Sequence, residues 1–202
     1  MAKEPRPGHV KTRLGKDIGV IPATWWFRHQ VNSVLRHLRD PRWELVLAVA
    51  PDHKGLLSRF FPADLSRVPQ GRGDLGERMT RQLRQGTVCL IGADIPDVRR
   101  THIAKAFTSL GRHDAVFGPA CDGGFWLVGH TARRALPQGV FKDARWSSKY
   151  ALADSVASLP DHRIGYVDVL DDVDTGEDLR MTRSQGHDST AYEQNPKQIS
   201  HP

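Results

Sequence analysis

Residues 87–96 read Thr87-Val-Cys-Leu-Ile-Gly-Ala-Asp-Ile-Pro96. Thr87 to Ile91 carry no charge and no helical stripe, which predicts a strand buried on both faces. Gly92 and Ala93 leave room beside the strand end, and Asp94 falls where the strand stops. Pro96 suits the first position of a helix. In open α/β sheets, ligands gather beyond the carboxyl ends of the strands. A carboxylate there can hold a hard cation against phosphate oxygens. A second reading makes Asp94 only the cap of the next helix. The stretch alone leaves both open.

Downstream, Thr101 to Leu110 carries a helical stripe of Ile103, Ala106, Phe107 and Leu110. Asp114 to Gly118 and Phe125 to Val128 read as strands around the turn Pro119-Ala-Cys-Asp-Gly-Gly124. Asp122-Gly123 is a hairpin signal. Gly124 adds a glycine that a hairpin does not need, so Asp122, Gly123 and Gly124 become candidates for a loop facing a ligand. Trp146-Ser-Ser precedes a helix reaching Leu159, with Ser147 as its cap. His162 to Leu170 is a last strand. Asp171 to Leu179 holds five acids, with Thr175 as a helix cap. The folded domain is expected over residues 1–183, and residues 184–202 read as a polar, disordered tail.

Upstream, Gln70 to Met79 is a glycine-rich loop in which Asp74 can cap the following helix. Such a loop can approach a phosphate or a base, although it lacks the Gly-Lys-Ser/Thr ending of a P-loop. Leu56 to Phe61 reads as a short helix and Trp43 to Ala50 as a second buried strand. Thr24 to Leu38 is an amphipathic helix with Thr24 as its cap. Pro5, Pro7 and Gly8 make residues 1–15 a loop that brings Lys3, Lys11 and Arg13 near one another. It suits a phosphate, bound by backbone amides freed at Gly8 and by these cations, or it is a solvated basic arm. Strands and helices alternate, which predicts a mostly parallel sheet covered on both faces.

The chain has 202 residues, 39% hydrophobic and 26% charged, enough for one α/β domain. No apolar run reaches the length of a membrane span and no signal peptide is visible. The net charge of +6 raises nucleic acid as a partner, but the basic residues are scattered among acids, which argues against a long basic groove. Cys89 and Cys121 read as reduced thiols, which suggests a cytoplasmic protein.

Several blocks together resemble one family. They are Ala2-Lys-Glu-Pro-Arg-Pro-Gly-His-Val-Lys-Thr-Arg-Leu14, Gly73-Asp-Leu-Gly-Glu-Arg-Met79, Ile91-Gly-Ala-Asp-Ile-Pro96, Gly118-Pro-Ala-Cys-Asp-Gly-Gly-Phe-Trp-Leu-Val-Gly129 and Asp172-Val-Asp-Thr-Gly-Glu-Asp-Leu179. In this order they resemble the glycosyltransferase-A-like proteins related to the 2-phospholactate and molybdenum-cofactor guanylyltransferases. Some members carry the label of arsenosugar biosynthesis glycosyltransferases. The resemblance implies a three-layer α/β/α nucleotide-diphospho-sugar transferase fold with a mostly parallel mixed sheet. It also implies a nucleotide-activated donor, a small-molecule acceptor and a divalent metal, Mg²⁺ or Mn²⁺. Carried over, Lys11 and Arg13 would meet donor phosphates, beside Lys3, Gly8 and Asp74 in the nucleotide pocket. Asp94 would hold the metal, with Asp172 and Asp174 as weaker ligands. Gly123 and Gly124 would line the donor or acceptor pocket. Asp122 and Lys11 would be catalytic, orienting the acceptor and stabilising the leaving group.

Two departures stand out. Relatives carry a full apolar strand before the Ala-Lys-x-Pro loop, whereas here only Met1 and Ala2 precede Lys3, so the first strand is expected to be truncated. Cys121 stands where many relatives have an acid. The expected activity is glycosyl transfer from an NDP-sugar. The alternatives are guanylyl or cytidylyl transfer from an NTP to a phosphorylated acceptor, or non-catalytic nucleotide or nucleic-acid binding.

Overall fold

Two groups of strands meet at one hydrogen bond, from the Met1 ammonium to the Ile91 carbonyl at 2.5 Å. The computed structural model describes residues 1–188, so residues 189–202 of the expected tail lie outside the described residues. On one side of that bond, β1 (Ala2–Lys3), β2 (Leu47–Ala50) and β3 (Arg67–Pro69) form a parallel sheet in the order β1-β2-β3. On the other side, β4 (Val88–Ile91), β5 (Ala115–Pro119), β6 (Phe125–His130) and β7 (Ile164–Tyr166) pair as β4-β6-β5-β7. There β6 runs antiparallel to both β4 and β5, and β7 runs parallel to β5. The sheet is therefore mixed, and the expected hairpin of β5 and β6 is present.

The shortness of β1 explains a departure at β4. All four of its residues are half-buried instead of fully buried, although the sequence is as apolar as expected. Ile91 turns its carbonyl toward Met1 and Gly92 donates its N–H to Trp126 at 3.3 Å, so alternation aims the Cys89 backbone toward β1 as well. A two-residue β1 covers only the end of that edge.

Helices cover both faces. Along β5 and β6 the side chains alternate: Val116 and Leu127 pack with Val34, Leu38, Ile103 and Leu110, while Phe117 and Val128 pack with Met79, Leu83, Phe141 and Leu159. This places α2 (Val20–His37) and α5 (Arg100–Leu110) on one face. On the other lie α4 (Leu75–Leu83) and α6 (Ala151–Ala157), giving three layers. A smaller cluster of Leu14, Ala23, Val173 and Leu179 ties α1 (Thr12–Ile18) and α2 to α7 (Gly176–Asp188). Among the described residues no helix is long and apolar enough to cross a membrane.

Several boundaries differ from the reading of the sequence. The N-terminal loop ends early, because α1 starts at Thr12. Thr24 is inside α2 and not its cap, its hydroxyl donating to the Val20 carbonyl, because Pro22 is accommodated in the first turn. The short helix α3 is Asp52–Leu56, ahead of the expected span. Strand β3 has no alternating pattern and was not anticipated. Ser147 does not cap α6, which begins after Tyr150; Ser147 lies at φ 56°, in the left-handed region.

Candidate active site

Asp94 stands at the carboxyl end of β4, and it is not a helix cap. The helix after it, α5, takes Arg99 as its N-cap, with the Arg99 N–H donating to His102 Nδ1 at 3.2 Å. Pro96 lies in the turn between them. The Asp94 carboxylate faces Lys11, whose Nζ is 2.6 Å from its Oδ2. Gly92 gives it room, since a Cβ at Gly92 would sit 2.7 Å from Asp94 Oδ1.

Lys11 reaches this place through an unusual backbone. It precedes α1 in the left-handed conformation, φ 46° and ψ 49°, which turns the chain into the helix. Its ammonium also donates to Asp174 Oδ1 at 2.7 Å and lies 3.8 Å from Asp172 Oδ2. The side chain is only 5% exposed. Arg13, on the first turn of α1, remains exposed and touches Asp174 Oδ2 at 3.3 Å.

The two further acids arrive from the start of α7. In the run Asp172-Val173-Asp174, Val173 is buried in the core and its N–H donates to the Asp94 carbonyl at 3.4 Å. Alternation then sends its two neighbours toward the cleft. Asp178 fixes this loop by accepting from the Asp174 N–H, the Thr175 N–H and the Thr175 hydroxyl, the cap expected at Thr175. Asp17 of α1 accepts from the Gly176 N–H at 2.8 Å. Carboxylate oxygens of Asp94, Asp172 and Asp174 lie within 4.8 Å of one another.

Electrostatics follow from this crowding. Burial disfavours the Lys11 ammonium, but the charges and hydrogen bonds of Asp94 and Asp174 outweigh it, so Lys11 titrates above an ordinary lysine. Asp172 is pushed up to about 6, first by burial and then by repulsion from Asp94, Asp174 and Asp122, with Lys11 opposing. Three hard oxygen donors converging in this way could hold a metal ion.

A cleft of about 720 Å³ opens from this cluster. Its far wall is apolar, formed by Leu75, Met79, Leu90, Phe125, Val128 and Trp146. Asp122 and Gly124 also line it. The Asp122 carboxylate accepts from the Gly124 N–H at 2.8 Å, closing its own turn. Gly123 lies outside the lining: at φ 85° it packs against the Lys149 backbone, where a Cβ would come within 2.5 Å of Lys149 Cα. Its carbonyl accepts from the Leu152 N–H at 3.0 Å, which locks the Asp122 turn to the segment carrying Ser147. Cys121 donates its N–H to Asp171, so the first acid of the run 171–179 anchors this loop.

The remaining candidates separate. Lys3 lines this cleft and a second one of about 640 Å³, flanked by Arg6, Lys54, Arg72 and Arg78. Gly8 has open space around it and lines neither. Asp74 spends its carboxylate on the Glu77 N–H in the capping box of α4. Arg78, on α4 and not among the expected site residues, borders both clefts. Its position one turn after a glycine-rich loop was the available signal.

The fold is that of an α/β domain of the nucleotide-diphospho-sugar transferase type. Residues 34–148 match the family model DUF2064, described as "Uncharacterized protein conserved in bacteria", and the chain belongs to that family. Its structure is similar to the crystal structure of a Desulfovibrio desulfuricans G20 protein provisionally described as a nucleotide-diphospho-sugar transferase. The two share 29% identity and a TM-score of 0.83 over 95% of this chain and 87% of that one. It also resembles 4-diphosphocytidyl-2C-methyl-D-erythritol synthase of Anaerococcus prevotii DSM 20548, at 10% identity and a TM-score of 0.53 over 80% and 88% of the two chains. The mycobacterial rv0371c homologue from strain JC1 gives 15% identity and 0.51 over 79% and 84%. These last two likenesses concern the fold alone. No curated protein matches the chain.

Proposed function

We propose that the protein is a metal-dependent transferase that takes a nucleotide-activated donor, an NDP-sugar, and passes its glycosyl group to a small acceptor. The observation that carries this reading is the convergence of Lys11 with Asp94, Asp172 and Asp174 at the mouth of a cleft whose other wall is apolar. Breaking a sugar–phosphate bond leaves a diphosphate with added negative charge. When bound by Asp94, Asp172 and Asp174, a divalent ion would neutralise part of that charge. Lys11 and Arg13 would meet the phosphate oxygens from the α1 side. Asp122, lining the cleft, would orient the acceptor hydroxyl and take its proton. The apolar wall of Leu75, Met79, Phe125 and Trp146 would exclude water and favour transfer to the acceptor. The 29% identity to the Desulfovibrio protein over nearly the whole chain supports this class of donor.

Lys3 and Arg78 join the two clefts and would receive the nucleotide end of the donor. The folded unit is taken to run past the expected residue 183, because α7 continues to Asp188, and the setting is taken as cytoplasmic, with its two free cysteines reduced.

The test is a thermal-shift screen of UDP-, GDP-, CDP- and ADP-sugars against the four NTPs, each with and without Mn²⁺. The proposal expects metal-dependent stabilisation by at least one NDP-sugar. Stabilisation by an NTP and by no NDP-sugar would instead indicate nucleotidyl transfer.

A further inference from the structure

The acid cluster holds a cation supplied by the chain itself. Lys11 Nζ lies 2.6 Å from Asp94, 2.7 Å from Asp174 and 3.8 Å from Asp172, and solvent hardly reaches the side chain. A divalent ion bridging these oxygens would stand against the ammonium. Two like charges a few ångströms apart inside a protein repel strongly. The ion and the lysine therefore exclude one another from the same position.

We propose that Lys11 is an internal counter-ion that occupies the metal position in the free protein, and that metal enters as Lys11 moves onto the donor diphosphate. The inference rests on the reading of the acid cluster as a metal site. Lys11 can swing its side chain away without unwinding α1, because its carbonyl keeps the first helical bond from the Gly15 N–H at 2.8 Å. It sits ahead of α1, not within it, and no side chain caps the helix at this point. A diphosphate in the cleft offers the departing ammonium a new anionic partner, beside Arg13, which is already exposed. Metal and donor then favour each other's binding, because each removes the obstacle to the other. Metal alone has to break two short charge-assisted contacts with no compensation for the lysine, so it binds weakly. The device ties capture of the metal to arrival of the donor.

The experiment titrates Mn²⁺ into the full chain and follows the free ion by electron paramagnetic resonance, without nucleotide. Lys11→Gln should bind Mn²⁺ about tenfold or more tightly than the wild type, the equivalent of about 1.4 kcal/mol. Lys11→Gln/Asp94→Asn should lose that gain, which locates it in this cluster. Equal affinity in the wild type and Lys11→Gln, abolished by Asp94→Asn, overturns the counter-ion role and leaves the metal site standing. No Mn²⁺ binding by either protein overturns both. A measurement on the wild type covers the case of a variant that does not fold. With ¹³Cε-labelled lysine, the Lys11 resonance should stay in place with Mg²⁺ alone and move when Mg²⁺ and inorganic pyrophosphate are added together. Movement with Mg²⁺ alone, or no movement in either case, contradicts the exchange.

Discussion

Two turns that each carry an acid and a glycine, residues 91–95 at the end of β4 and residues 119–124 between β5 and β6, are used differently by the fold. In the first, Gly92 clears space so that Asp94 reaches outward to Lys11, and groups from β4, α1 and the start of α7 converge. In the second, Asp122 folds back onto the Gly124 N–H, and Gly123 is pressed against the Lys149 backbone. The first glycine serves a side chain; the second serves the packing of one loop on another. An acid within two residues of a glycine near a strand end is thus ambiguous in sequence, and the long-range partners decide its role.

The largest expected effect separates the two glycines. Gly123→Ala would place a Cβ within contact of Lys149 backbone atoms at positive φ, where nothing flexible can give way. A loss of roughly 2–3 kcal/mol is expected, seen as a fall in melting temperature of roughly 5–10 °C. Gly92→Ala meets only the end of the Asp94 carboxylate. It should fold, but its Mn²⁺-dependent affinity for nucleoside diphosphates should fall about tenfold, or about 1.4 kcal/mol, by calorimetry. If Gly92→Ala proved the less stable protein of the pair, the contrast between the turns would be wrong.

Asp172 sharpens the comparison through pH. Its carboxyl titrates at about 6 in the fold against 3.8 unpaired. Between those values the native state binds the extra proton, so this group's contribution to stability is present at low pH and is lost as pH rises through about 6. Asp172→Asn should therefore stabilise the protein at pH 7, by about 1 kcal/mol once solvent screening of this half-buried group is allowed for. The gain should vanish below pH 4. A gain that is independent of pH in denaturant titrations would contradict burial of the charged carboxylate, aided by repulsion within the cluster, as its cause.

The smallest effect is expected at Asp122→Asn. Its amide oxygen can still accept from Gly124, so stability should stay within about 0.5 kcal/mol. Turnover of the NDP-sugar found in the screen should nevertheless drop about tenfold or more, because the amide cannot take a proton. Unchanged turnover would reduce Asp122 to a turn residue.

Much of the fold could be read from the chain. The central strand, the hairpin, the Asp74 and Thr175 caps and the position of Asp94 follow from local patterns. What stayed hidden depends on distance in sequence or on missing neighbours. Nothing near Lys11 announces a partner at Asp174, 163 residues away. Asp172 and Asp174 look solvated until the burial of Val173 fixes their direction. The incomplete cover of β4 comes from its neighbour β1, not from its own composition. Gly8 carries a sound local signal, a positive φ of 75°, yet it serves only the course of the loop. Lys11, Phe141, Asp143 and Ser147 adopt left-handed backbone without being glycine, which no propensity would have suggested, and two of them line the main cleft.

The central claim is that the diphosphate of the donor is held through a divalent ion on Asp94. It is tested most directly by calorimetric binding of UDP, GDP, CDP and ADP to the wild type and Asp94→Asn, each with and without Mn²⁺. The account requires at least one nucleotide that binds the wild type about tenfold or more tightly with the metal, and no such gain in Asp94→Asn. An equal gain in the two proteins would place the ion elsewhere and contradict the claim.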